Sequence, residues 1–171
     1  METENATCCF FGHRKISEAD RLKIKVYEVM ENLIVHSGVD TFLMGSKSDF
    51  DSLCREALSE LKEKYTHIRR IYVRAEYSYI NDDYEKYLLR NCEETYYPER
   101  LADAGKAVYV ERNREMIDKS EYCIVYFKDG YLPHRRKNNR RDLFNYQPKS
   151  GTDIAYQYAL RKNKTIINVA E

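Results

Sequence analysis

The chain has 171 residues, 43% of them hydrophobic and 33% charged, which suffices for one domain with its own core and is short for two. Lys plus Arg total 29 and Asp plus Glu total 28, leaving a net charge of +1 and excluding the global basicity of a dedicated nucleic-acid binder. No stretch approaches the roughly 18 uninterrupted apolar residues of a membrane span, and the start, Met1 to Phe11, carries two glutamates and no basic residue, the reverse of a signal peptide, so a cytoplasmic protein is expected.

Thr7-Cys8-Cys9-Phe10-Phe11 is a short apolar run closed by Gly12 and reads as a fully buried strand. From Glu18 to His36 the positions Leu22, Val26, Val29, Met30 and Leu33 recur with a helical period, with Ser17 as N-cap and Gly38 just past the end. Thr41 to Met44 is a second buried strand, closed by Gly45. A helix from about Phe50 to Lys64 follows, with Leu53, Ala57, Leu58 and Leu61 inside and Ser48 or Asp49 as cap. Ile71 to Ala75 reads as a third strand. The alternation then stops for about thirty residues, within which Tyr84, Tyr87 and Leu88 suggest one face of a short helix packed on the core. Regularity returns in a helix from Lys106 to Lys119 and a strand from Tyr122 to Phe127, rich in β-branched and aromatic residues. A second loop, Lys128 to Lys149, leads to a helix from Gly151 to Arg161 and a last strand from Thr165 to Val169.

Strands alternating with helices imply a mainly parallel sheet covered on both faces. The expected fold is a Rossmann-like α/β three-layer sandwich with about five strands, as a single domain over residues 1–171. The five cysteines form no CxxC and read as buried thiols, and no two of the four histidines share a metal-site spacing, so neither a metal nor a cofactor is expected.

In such sheets ligands bind beyond the carboxyl ends of the strands. The chain has only six glycines, and three of them, Gly12, Gly45 and Gly151, fall there, each beside small polar residues whose N–H groups suit an anion. Each taken alone also serves a tight turn. Arg14 adds a planar fork for phosphate or carboxylate, and His13 a group that donates or accepts near neutral pH.

The run Cys9-Phe10-Phe11-Gly12-His13-Arg14, the later Gly45 and Phe50-Asp51, the stretch Arg112 to Tyr122, and Ser150-Gly151-Thr152 with Tyr158-Ala159 and Ile166-Ile167-Asn168 together resemble a small bacterial or phage-type branch of the SLOG superfamily. That superfamily includes the Lonely Guy phosphoribohydrolases and the DNA-processing protein DprA. The resemblance covers nearly the whole chain in order and implies a Rossmann-like domain binding nucleotides or their derivatives, often as a homodimer. Two departures stand out. The loop after strand two, Gly45-Ser46-Lys47-Ser48-Asp49-Phe50-Asp51, keeps one glycine where relatives are glycine-richer and introduces Lys47. In the Lonely Guy enzymes the loop resembling Pro148-Lys149-Ser150-Gly151-Thr152 runs on to a catalytic glutamate three residues after the threonine, a position that is Ala155 here.

Glycosidic hydrolysis would want a carboxylate near the ribose. Glu76, at the end of strand three, is the candidate kept, while Asp51, Glu111 and Glu115 read equally well as caps or solvated helix charges. Arg112 and Asn113 reach a ligand if their turn faces the carboxyl edge of the sheet, and otherwise make surface salt bridges. Among the insert tyrosines Tyr97, just before Pro98, is the expected ligand contact. His134 to Arg141 gathers five basic residues in eight positions, and reads as a solvated loop ahead of a polyphosphate or nucleic-acid contact.

The expected function is therefore binding of a nucleotide-derived small molecule, of the ADP-ribose or NAD-derivative kind, by a sensor or sequestering protein. The expected ligand contacts are Gly12, His13, Arg14, Gly45, Ser46, Lys47, Tyr97, Arg112, Asn113, Ser150, Gly151 and Thr152. The alternatives are a nucleotide N-glycosidic hydrolase or transferase and, after it, a nucleic-acid accessory protein. No membrane partner is expected.

Overall fold

The computed structural model describes residues 5–45, 47–130 and 150–170. Six strands form one all-parallel sheet among them: β1 (Ala6–Gly12), β2 (Val39–Met44), β3 (Arg69–Val73), β4 (Glu94–Tyr96), β5 (Tyr122–Tyr126) and β6 (Thr165–Asn168). The helices are α1 (Ala19–His36), α2 (Asp49–Lys64), α3 (Asp82–Leu88), α4 (Val108–Asp118) and α5 (Gly151–Arg161). The spatial order β4-β3-β2-β1-β5-β6 means that the chain leaves β1 in one direction and later returns to its other side. The switch point lies between β1 and β5, where an open α/β sheet leaves a crevice at the carboxyl ends of its strands.

The central strands alternate between two cores. Cys8 and Phe10 of β1 join Phe42, Met44 and Ile124 beneath α1 and α2, whereas Cys9 and Phe11 join Leu43, Cys123 and Val125 beneath α4 and α5. With period 2 and both faces covered, a parallel strand reads as a continuous apolar run instead of an alternating one. Phe10, Phe42 and Phe50 are fully buried, each contributing roughly 1.5–3 kcal/mol of apolar burial. The five cysteines are buried free thiols.

Three differences from the sequence reading have physical causes. The sixth strand, β4, is a three-residue edge strand with no fully buried position, so it carries no apolar run to signal it. Ser17 does not cap α1: Glu18 occupies the cap with φ 53° and no side-chain bond, while Ser17 lies against the Tyr126 hydroxyl, its N–H donating at 3.4 Å. Helix α3 forms but buries none of its residues, so Tyr84, Tyr87 and Leu88 do not pack it into the core. Among the described residues no helix is long and apolar enough to cross a membrane.

Candidate functional site

A cleft of about 550 Å³ opens at the carboxyl ends of β1, β2 and β3, within the range of small-molecule pockets. Its first wall is the turn after β1, Gly12-His13-Arg14; its second is Gly45, Lys47 and Ser48 before α2. Ala75 and Glu76 after β3, the N-terminal half of α4 and the start of α5 close it.

Packing fixes the two glycines at its floor. A Cβ on Gly12 would lie 2.8 Å from the Phe50 Cβ and on the Phe50 ring, and one on Gly45 would lie 2.7 Å from Arg112 Cδ and 2.8 Å from the Val73 carbonyl oxygen. Neither position has room for a side chain.

Both flanking helices start as their sequences dictate. Ser48 Oγ accepts from the Asp51 N–H and Ser150 Oγ from the Asp153 N–H, each at 3.0 Å. The Asp49 N–H donates to the Arg14 carbonyl at 3.0 Å, tying the first loop to the second. Gly151 and Thr152 contribute the first turn of α5, whose N–H groups and dipole favour an anion.

His13 is buried and clamps β1 to the end of β5: its Nε2 accepts from the Lys128 N–H at 2.8 Å, and its ring packs on Tyr126 and Phe127. Burial pulls its pKa below 6.5, so the imidazole is neutral at pH 7. That hydrogen bond commits the Nε2 lone pair to the fold.

Arg112 decides the electrostatics. Only 5% exposed, it donates from Nη1 to the Gly45 carbonyl at 2.5 Å and from Nε to the Asn113 side-chain oxygen at 3.2 Å, and its guanidinium lies 5.7 Å from the Tyr109 ring centre. Burial lowers its pKa, yet an arginine stays protonated. Among the described residues no carboxylate forms an ion pair with it, although the charges of Asp51 and Glu76 act on it through space, and a buried charge of this kind gains from an anion that enters.

Glu76 is the one carboxylate lining the cleft among the described residues, against Arg14, Lys47 and Arg112. It accepts from the Tyr109 hydroxyl at 2.9 Å and from Lys47 Nζ at 3.4 Å. The Tyr109 bond first, and then Lys47, hold its pKa below the usual carboxylate value while raising that of Lys47. Glu76 is therefore ionised, a base or a neutraliser of cations and not a proton donor.

The cleft brings together Gly12, His13, Arg14, Gly45, Lys47, Arg112, Asn113, Ser150, Gly151, Thr152 and Glu76. Ser46 and the basic run 134–141 lie outside the described residues. Tyr97 does not line the cleft, and its hydroxyl turns to the Leu101 carbonyl at 3.5 Å where the chain folds back into a short 3-10 turn. Tyr109 and Tyr72 supply the aromatic surface instead. Tyr109 was accessible to sequence reasoning, because it precedes Arg112 by three positions and Asn113 by four on one helix. The other carboxylates are structural: Asp51 is buried and paired with Arg55, Glu111 with Arg100 and Arg114, and Glu115 with Lys119. Ala155 is 2% exposed in the core with Phe11 and Val125. Among the described residues no group of His, Cys, Asp and Glu is arranged to hold a metal. Compared with protein-family models and with curated proteins, the chain matches none.

Proposed function

We propose that the chain is a SLOG-type binding domain that holds a nucleotide-derived small molecule, of the ADP-ribose or NAD-derivative kind, as a cytoplasmic sensor or sequestering protein working as a homodimer. One observation carries the reading: Arg112, buried and without a carboxylate ion pair among the described residues, lies in a cleft at the carboxyl ends of β1, β2 and β3. The α5 N-terminus and the Arg14 fork add donors for phosphate oxygens. With Ala155 in the core, the position that would bear a catalytic glutamate in the resembling hydrolases carries none, which favours binding over turnover. Thermal unfolding tests this. At about 100 times its Kd a ligand stabilises by about 2.7 kcal/mol, so saturating ADP-ribose raises the Tm of the wild-type chain and leaves that of Arg112→Met unmoved. A wild-type chain that no nucleotide or dinucleotide stabilises overturns the reading.

The placement of Glu76 supports a second reading, in which water cleaves an N-glycosidic bond: the sugar carbon gains the hydroxyl and the base takes the proton. An ionised carboxylate suits the cationic sugar of that transition state. Release of free base from a nucleoside monophosphate, abolished in Glu76→Gln, would establish it.

A further inference from the structure

Beside the cleft, a second cavity of about 260 Å³ runs down the sheet between α2 and α3. Leu58 and Ser59 of α2 form one wall, Tyr87, Leu88 and Asn91 the other, and Tyr72 of β3 belongs to the floor. Tyr72 also lines the cleft, so the two spaces share a side chain. Three features set this slot apart from an ordinary surface groove. Helix α3 buries none of its residues and yet stands as the outer wall, with Tyr87 59% exposed. Aromatic rings continue around it, Tyr84 stacking on Tyr87 at 6.2 Å and meeting Tyr77 edge-on at 6.0 Å, while the Arg55 guanidinium lies 5.1 Å from the Tyr72 ring centre. The Asn91 carboxamide and the Ser59 hydroxyl, both at the rim, have no side-chain hydrogen bond among the described residues.

Resting on the nucleotide reading above, we infer that this slot is the base subsite: the ligand's phosphate lies at Arg112 in the cleft and its adenine passes over Tyr72 into the slot between α2 and α3. Aromatic and apolar walls accept the faces of a heterocycle. A carboxamide offers the donor and acceptor that match the N6 and N7 edge of adenine. The direction is set by charge, since the cleft holds the buried Arg112, which forms no ion pair with a carboxylate among the described residues, whereas Arg70 in the slot is already paired with Glu93.

The test titrates AMP and ribose 5-phosphate, which share the phosphate and sugar and differ in the base, into the wild-type chain, Ser59→Trp and Asn91→Trp by calorimetry. Both substitutions place an indole in the slot from exposed positions on opposite walls, away from the cleft. The wild-type chain is expected to bind AMP at least tenfold more tightly than ribose 5-phosphate. Each variant should lose that factor for AMP while keeping its affinity for ribose 5-phosphate, which also reports that it is folded. Equal affinities of the two probes for the wild-type chain, or AMP binding that neither variant weakens, overturns the slot while leaving the nucleotide reading standing. A wild-type chain that binds neither probe overturns the slot, and one that also fails to bind ADP-ribose overturns the nucleotide reading with it.

Discussion

The floor and the rim of the cleft are built by different physics. At the floor, Gly12 lies against the Phe50 ring, Gly45 against Arg112, and His13 is clamped to Lys128, all in contacts that leave no room to move. At the rim, Arg14 is exposed, and the Lys47 and Glu76 side chains, 73% and 35% exposed, meet at 3.4 Å in a pair that water screens. The floor is thus a product of folding and keeps its geometry, whereas the rim holds charges in contacts weak enough for a ligand to replace. Arg112 belongs to both: its stem packs on Gly45, and the residue lines the cleft.

Substitutions should separate the two regions. Phe50→Ala, which empties the support under Gly12, should cost about 3–5 kcal/mol in urea unfolding. Gly12→Ala should cost about 1–3 kcal/mol by overpacking, whereas Gly151→Ala, with nothing within 4 Å of the new Cβ, should leave stability unharmed. If Gly12→Ala proves as benign as Gly151→Ala, the floor is not the rigid part.

The His13 clamp gives a pH dependence. Its folded pKa is below the unfolded 6.5, so above pH 6.5 both states are neutral and its contribution is fully present. As the pH falls below 6.5 the unfolded chain takes up a proton that the folded chain refuses, and stability drops until the folded pKa is passed. Unfolding free energies of wild type and His13→Gln between pH 7.5 and about 5 should therefore converge at the acid end, and parallel curves would contradict the clamp.

At the rim the effects on stability are smallest. Lys47→Ala and Glu76→Gln should each change stability by less than about 1 kcal/mol. Their effect appears in binding: Glu76→Gln releases Lys47 and should tighten pyrophosphate binding several-fold at low salt, an increase that fades as salt is raised. A loss of pyrophosphate affinity in Glu76→Gln would place the carboxylate in the floor's architecture instead.

Much of this was legible in the sequence because the signals are local. The buried run Cys8 to Phe11, a cap at Ser48 or Asp49 and the bounds of α5 follow from periodicity and capping within a few residues. The loops that line the cleft could be placed because a parallel α/β sheet brings the residues after its strands to one edge. What stayed hidden depends on tertiary placement. Strand β4 exists only through its pairing with β3. Arg112 gives no sign in the sequence that it is buried, since arginine is ordinarily exposed and its partner Gly45 lies 67 positions away. Tyr97 and Tyr109 differ in role because one precedes a 3-10 turn and the other lies on the helix that faces the cleft, a distinction that tyrosine content alone does not carry.

The most direct measurement is native mass spectrometry of the chain titrated with ADP-ribose, with an Arg112→Met variant alongside. The account predicts one ADP-ribose per wild-type chain, persisting at low micromolar concentration, and none on the variant. No adduct on the wild-type chain, or equal occupancy of both proteins, would contradict it.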